Sequence, residues 1–192
     1  PLGQLAVKQL SSNDLLLYLI AYSVVHRGHL SSSFFTDLRL LMEKEPLDWP
    51  TLIEEAGRRY LKIPLYHGLC QLALSNSTIH IPATVIRQLS PSTKAEHILA
   101  CLFRRLVTTR PIPELGHFLL WVTQPPGRRL AWIRRTFFPS SLFLAYRYGC
   151  ESVQRPWHTR INRLLLLIRA ASLLIFRMLI RLVYDRAART TS

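Results

Sequence analysis

The sequence predicts an all-α fold, an irregular multi-helix bundle that ends in a long basic helix. Apolar residues recur at helical spacing through most of the 192 residues. No segment shows the strict apolar and polar alternation of a half-buried strand, and no Gly-rich hairpin turn is present. Prolines fall between the apolar segments, where they end helices. With 49% hydrophobic residues, the chain can bury a core of its own.

Capping residues and prolines set the predicted helices of the N-terminal part. Ser11–Asp14 precedes the apolar run Leu15–Ile20, so a first helix begins here and extends to about Gly28. Asp48 is a predicted N-cap, with Pro50 in the first turn that follows it. Further helices are expected at Phe34–Met42 and Pro64–Leu74.

A change of composition separates this part from the rest. Residues 75–91 are rich in Asn, Ser, Thr, Ile and Pro, which indicates an exposed connection with one short helix at Ala83–Leu89. Four more helices are predicted, at Ser92–Val107, Glu114–Thr123, Gly127–Phe137 and Pro156–Arg189. We therefore divide the chain into an N-terminal helical subdomain (1–75), an arginine-rich helical subdomain (76–155) and a long amphipathic C-terminal helix (156–192).

The net charge of +14 lies almost entirely in the second half of the chain. Residues 1–100 contain nine Lys and Arg against eight Asp and Glu, whereas residues 101–192 contain sixteen against three. All sixteen later cations are arginines, which form bidentate contacts with phosphates and carboxylates better than lysines do. An anionic partner, such as a nucleotide, a phosphate-bearing substrate or an acidic neighbouring domain, is therefore expected.

Three arginine pairs are the candidate anion-binding residues: Arg104 and Arg105, Arg128 and Arg129, and Arg134 and Arg135. Aromatic residues lie beside them, so nucleic acid is one possible ligand, since phosphate contacts dominate its affinity and bases stack on aromatic rings. Solvated helix faces that offset an acidic neighbour explain the same residues and are favoured here. Two interpretations of the C-terminal helix are also open. It contacts an anionic membrane surface, or it packs into the bundle, which we favour.

No catalytic residue, metal site or cofactor is predicted in this chain. Two-metal chemistry needs clustered carboxylates, and the sequence has no DxD or ExD pair. Phosphate-cradling glycine motifs and a GxSxG elbow are missing too. The cysteines Cys70, Cys101 and Cys150 are odd in number and widely spaced, which favours reduced thiols.

The sequence favours a cytoplasmic protein. Residues 1–9 do not resemble a signal peptide, because they lack an apolar core. The longest apolar candidate, Leu164–Val183, is interrupted by Arg169, Arg177 and Arg181. Peripheral contact with the inner face of the membrane is the alternative location.

Several segments, taken in order, resemble the C-terminal helical part of uncharacterised bacterial nucleotidyltransferase-family proteins. They are the segment Leu10–Leu19 with His26 downstream, the helix containing Asp37 and Leu38, Leu47–Trp49 followed by Leu52 and Ala56, Phe137–Ser140, and Tyr146–Gly149. The order of these segments carries the resemblance, because each motif alone is loose.

The resemblance implies a larger enzyme. Members of that family carry, N-terminal to this region, a palm domain with a mixed sheet, a Gly-Ser phosphate turn and paired acidic ligands for Mg²⁺, which acts with an NTP. No position here matches those residues, so the expected role is that of an accessory, substrate-side domain that is inactive alone, with a catalytic domain in cis.

His26, Asp37 and Arg39 are the candidate substrate-side residues, because they lie in family-like segments. Helix capping and hydrogen bonding within the bundle are the alternative. Such proteins are associated with polysaccharide or modified-peptide biosynthesis.

Overall fold

The computed structural model describes residues 10–75, 79, 81–109, 115–138, 140, 142 and thirteen residues between 157 and 176. The secondary structure of these residues is helical and contains no strand, which confirms the all-α prediction. The helices are α1 (Ser12–Ile20), which continues into a π-helical segment (Ala21–Arg27), α2 (Ser32–Lys44), α3 (Trp49–Arg58), α4 (Lys62–Ser75), α5 (Ala83–Leu89), α6 (Lys94–Leu106), α7 (Leu115–Thr123) and α8 (Pro126–Phe137).

The chain divides into two compact units, Pro1–Pro111 and Ile112–Ser192. Helices α1 to α6 belong to the first unit, and α7 and α8 to the second. The three-part division with breaks after residues 75 and 155 stays a prediction. Most of the predicted C-terminal helix 156–189 lies outside the described residues. Within the part that the structure describes, no helix is both long and apolar enough to cross a bilayer.

Side-chain caps fix where four of the helices begin. The hydroxyl of Ser11 accepts a hydrogen bond from the Asp14 amide at 3.1 Å, and the carboxylate of Asp48 accepts one from the Thr51 amide at 3.2 Å, as predicted. Ser31 and Thr93 cap α2 and α6 in the same way. Because Ser31 is the cap, α2 begins at Ser32, two residues before the predicted start. Helix α4 also begins two residues early, which places Pro64 within the first turn, where its missing N–H costs no helical bond.

The first predicted helix has the expected ends but an unexpected second half. It stops at Gly28, whose φ of 66° is the left-handed conformation that glycine adopts without a steric penalty. Between Ala21 and Arg27 the backbone is π-helical, with wider turns than an α-helix. Val24 and Val25 are both buried there. The sequence alone did not indicate this segment.

Helix α3 ends in a turn that holds a tyrosine in the left-handed region. The Tyr60 amide donates to the Gly57 carbonyl at 3.2 Å, and the Leu61 amide donates to the Ala56 carbonyl at 2.8 Å, which is the Schellman pattern. Tyr60 has φ of 60°, a conformation that glycine usually occupies at this position. The turn directs the chain from α3 into α4 within three residues.

Helix α4 is the centre of the first unit. It contacts α1, the π-helical segment, α3, α5 and α6, and it is apolar nearly all round, as a helix surrounded by others must be. Its buried residues are Ile63, Pro64, Leu65, His67, Gly68, Leu69 and Leu72. Phe34 of α2 and Phe103 of α6 are the largest fully buried side chains of the described core.

Polar contacts join the helix ends around this core. The Asn13 side chain donates to the Asp48 carbonyl at 3.0 Å and accepts from the Asp48 amide at 3.2 Å, which ties the start of α1 to the start of α3. Arg59 at the end of α3 pairs with Asp14 at 3.0 Å. Two of these contacts hold the starts of α1 and α3 together, and the third joins the start of α1 to the end of α3.

Gly68 on α4 lies at a close approach between helices in the core. A Cβ atom at this position would collide with Cδ1 of the buried Ile20, and it would also lie 3.6 Å from the Phe34 ring. Gly68→Ala should therefore lower the free energy of unfolding by about 1–2 kcal/mol, because the overpacking cost exceeds the gain in helix propensity. Urea denaturation measures the change.

Two further variants make this measurement specific. Gly57→Ala on the exposed side of α3 has open space around the new methyl group, so it should be neutral or stabilising by up to about 1 kcal/mol. Ile20→Val removes Cδ1, so the Gly68→Ala and Ile20→Val changes together should cost less than their sum. Additive losses in the double variant would show that the collision with Ile20 is not the cause.

Candidate functional site

An open groove lies between α1 and α2. Its volume is about 660 Å³. The lining combines five leucines with five polar or charged residues: Leu10, Leu15, Leu19, Leu40, Leu41, Ser11, Ser12, Asp37, Lys44 and Glu45. The groove therefore offers one cation and two carboxylates around leucine side chains, an arrangement that fits an amphipathic partner better than a polyanion.

The three candidate substrate-side residues do not converge on this groove. Asp37 lines it and is exposed, but neither His26 nor Arg39 belongs to its lining. Arg39 lies half-buried on α2, with its Nε 3.9 Å from the Glu43 carboxylate. That nitrogen is shielded from solvent and makes no hydrogen bond with the described residues. The three side chains therefore do not form one site in the described part of the chain.

His26 belongs instead to a ladder of rings on the surface of α1 and the π-helical segment. The rings of Tyr18 and Tyr22 stack with centroids 6.0 Å apart, and those of Tyr22 and His26 stack at 5.8 Å. Arg27 extends over the Tyr22 ring at 4.9 Å and donates from Nε to the Tyr22 hydroxyl at 2.9 Å. Sequence reasoning missed this ladder, although the spacing of four residues between successive rings is a readable signal.

The predicted arginine pairs fall on two different units. Arg104 and Arg105 are exposed in the last turn of α6, where cations complement the negative end of the helix dipole. The other two pairs lie on α8, in the second unit. A helix-end role explains Arg104 and Arg105 without a ligand.

On α8, one arginine is structural and three face solvent. Arg129 donates from Nε to the Gln124 carbonyl at 3.0 Å and from Nη2 to the Val122 carbonyl at 3.1 Å, and its guanidinium lies 5.9 Å from the Trp121 ring centroid. It therefore caps the end of α7. Arg128, Arg134 and Arg135 are exposed, and none of them takes part in an ion pair between described residues.

Helical geometry places the three exposed arginines together. Arg128 and Arg135 are seven residues apart and so lie on the same face, and Arg134 adjoins Arg135 along the helix, giving an arc of roughly 120°. Arg129 projects on the other side of Arg128. The sequence of α8, PGRRLAWIRRTF, contains no acidic residue that would neutralise this arc. We call Arg128, Arg134 and Arg135 the α8 arginine arc.

One histidine in the core is held neutral. His67 on α4 is 6% exposed, with its ring centroid 6.0 Å from that of Phe103. Burial lowers its pKa from 6.5 to about 4, and a backbone hydrogen bond with Val107 opposes that shift. Its Nε2 atom is buried without a hydrogen bond among the described residues. One helical turn away, burial also raises the pKa of the Cys70 thiol, which makes Cys70 a poor nucleophile.

A carboxylate between α4 and α6, that of Glu96, is stabilised in its charged form, whereas His67 and Cys70 are held neutral. Partial burial of Glu96 alone would raise its pKa, but hydrogen bonds from the Ser92 amide at 2.7 Å and from Lys62 at 3.0 Å outweigh this and lower the pKa to about 2. Lys62 begins α4, and Glu96 lies in the first turn of α6. This ion pair joins the starts of two helices.

The described residues hold no group of three or more His, Cys, Asp or Glu side chains that could bind a metal ion. No protein-family model, curated protein or solved structure matches this chain. The resemblance to nucleotidyltransferase-family proteins therefore stays a prediction from the sequence.

The pKa of His67 predicts acid sensitivity. The unfolded chain binds this proton near pH 6.5, whereas the folded chain binds it only near pH 4, so protonation favours unfolding as the pH falls between these values. From pH 6.5 to about 5, the free energy of unfolding should fall by on the order of 2 kcal/mol. This window lies above the range in which Glu96 contributes, since Glu96 has an unfolded pKa of 4.5.

Urea denaturation across that window tests the assignment. His67→Gln should remove most of the slope, whereas His97→Gln, at an exposed histidine of α6, should leave it intact. An unchanged slope in His67→Gln would mean that another group titrates.

Proposed function

We propose that this chain is the helical accessory, substrate-side domain of a nucleotidyltransferase-like protein and acts with a catalytic palm domain of the same protein. One observation carries this proposal most directly. Two segments of the family resemblance, Leu10–Leu19 and Leu47–Trp49, meet in space through the paired hydrogen bonds between Asn13 and Asp48. Contacts that cap helices and join their ends are what an accessory helical domain requires.

The motif residues support a scaffolding role and not a chemical one. Leu52 and Ala56 are buried in the core. Asp48 caps α3 and Asp14 lies in the first turn of α1, and hydrogen bonds with Thr51 and Ser11, respectively, lower the pKa of each carboxyl group. Under the proposal, the palm domain binds Mg²⁺ and supplies the catalytic residues, whereas this chain contributes contacts to the phosphates of the NTP. His26, Asp37 and Arg39 remain substrate-side candidates that act separately.

The α8 arginine arc is the part of the chain we assign to the anionic substrate. Guanidinium groups bind phosphate oxygens through two parallel hydrogen bonds, and three of them on one exposed arc would contact adjacent phosphates of a nucleotide. Arg129 is excluded from this role because its donors are directed to the carbonyl groups at the end of α7.

Substitutions on α8 distinguish the arginines assigned to ATP binding from Arg129, which stabilises the second unit. Arg134→Gln with Arg135→Gln should weaken ATP binding by roughly tenfold, because two charge-assisted contacts are lost, and should leave the melting temperature unchanged. Arg129→Gln should instead destabilise the second unit by about 1–2 kcal/mol through the loss of its carbonyl contacts. Isothermal titration and thermal melting measure the two effects. Equal ATP affinity in the double variant would refute the assignment to the arc.

The coding sequence upstream of Pro1 tests the proposal as a whole. A preceding segment with a Gly-Ser turn and spaced acidic residues is expected, and the protein that includes it should transfer nucleotides in the presence of Mg²⁺. The 192-residue chain alone should not. A start codon directly before Leu2, or nucleotide transfer by the 192-residue chain, would overturn the proposal. Binding of the chain to nucleic acid that weakens steeply with salt would favour a stand-alone binding module in its place.

A further inference from the structure

The described residues between 157 and 176 present large apolar side chains to solvent. All thirteen have helical backbone, and we call them the C-terminal segment: 157, 158, 160–162, 164, 165, 168, 169, 171, 172, 175 and 176. Its large apolar members are between 38% and 66% exposed, namely Trp157, Ile161, Leu164, Leu165, Ile168, Ile175 and Phe176. The sequence favours packing of the apolar face of this helix into the bundle, and that interpretation stays a prediction. The large apolar residues described here are exposed.

Five of the exposed apolar residues recur at the spacing of one helix face, and we call them the stripe. Trp157, Ile161, Leu164, Ile168 and Ile175 follow one another at intervals of four, three, four and seven residues. Exposed apolar residues that recur in this way mark an interaction site.

The charges beside the stripe have one sign. Residues 152–184 contain no Asp or Glu, whereas Arg160, Arg163, Arg169, Arg177 and Arg181 lie in or directly after the segment. The guanidinium of Arg160 lies 5.4 Å from the Trp157 ring centroid. Aliphatic residues with arginines beside them, and aromatic residues towards both ends, are typical of helices that lie in the interface of an anionic bilayer.

We propose that the C-terminal segment binds the surface of an anionic lipid bilayer, with its axis in the membrane plane and the stripe inserted below the headgroups. Charge complementarity favours this partner over a second copy of the chain, because two such segments would bring arginines together with no carboxylate between them. The aliphatic side chains of the stripe favour lipid over nucleic acid, which offers them no apolar surface comparable to acyl chains.

Vesicle binding of the full chain tests the proposal. Phosphatidylcholine vesicles containing phosphatidylglycerol should bind the chain at least about tenfold more tightly than pure phosphatidylcholine vesicles, and raised salt should weaken binding without abolishing it. The triple change of Ile161, Ile168 and Ile175 to Gln should reduce binding to anionic vesicles by about tenfold or more, because it removes the inserted stripe but keeps every arginine.

A matched control uses exposed apolar residues of the first unit. Leu74→Gln with Ile98→Gln changes residues that are 81% and 64% exposed and should leave vesicle binding unchanged. In a separate measurement, Trp157 fluorescence should shift to shorter wavelength with anionic vesicles, and Trp157→Phe should remove that shift.

Three outcomes would overturn the proposal. The first is equal binding to neutral and anionic vesicles, and the second is unchanged binding of the triple isoleucine variant. The third is self-association of the chain that the triple variant abolishes, with no vesicle binding, which would assign the stripe to a second copy. Each outcome is independent of nucleotide transfer, so this proposal and the proposed function fail separately.

Discussion

The burial of α4 among its neighbours, from Ile63 to Leu72, is the constraint on which the first unit depends. A helix surrounded by five neighbours needs apolar residues all round and small ones where another helix crosses closely, and Gly68 against Ile20 supplies that crossing. The same burial leaves His67 inside the core as a neutral ring. The close packing of Gly68 against Ile20 and the lowered pKa of His67 thus both result from the burial of α4.

The periphery of the unit is organised by helix ends. Asn13, Asp14, Asp48 and Arg59 connect the starts and ends of α1 and α3, and Lys62 and Glu96 connect α4 with α6. These contacts are partly exposed, so each contributes little free energy alone. Their value lies in orientation, because they fix where each helix enters the core.

Much of the fold follows from local sequence signals, whereas the assembly of a site does not. The caps at Ser11 and Asp48, the stop at Gly28 and the helix Ala83–Leu89 are set by residues within four positions of each other, and the sequence predicted them. The early starts of α2 and α4 were missed because the apolar pattern that predicts these helices begins only at Phe34 and Pro64. No local pattern indicates the π-helical segment, in which Val24 and Val25 are both buried. His67 was also missed, because a histidine between apolar residues gives no sign of its solvent exposure.

The candidate functional residues show the same limit of prediction from sequence. Arg128 and Arg129 are adjacent and chemically identical in sequence, yet one faces solvent and the other closes the end of α7. Only the three-dimensional position of the Val122 and Gln124 carbonyl groups distinguishes them. His26, Asp37 and Arg39 were grouped by their segments, and the structure distributes them over a ring ladder, a groove rim and a half-buried helix side.

The π-helical segment also makes this part of the chain tolerant of a change in length. A turn closed by i→i+5 bonds holds one residue more than an α-helical turn between the same two ends. Deletion of one exposed residue within Ala21–Arg27 would let the backbone relax to α geometry while Ile20 and Gly28 keep their orientations. Insertion of one residue at the same place cannot be absorbed in this way, because the π-helical turn is already wider than an α-helical turn. The π-helical segment should therefore tolerate the loss of one residue better than the gain of one. Variation in its length should consist of deletions.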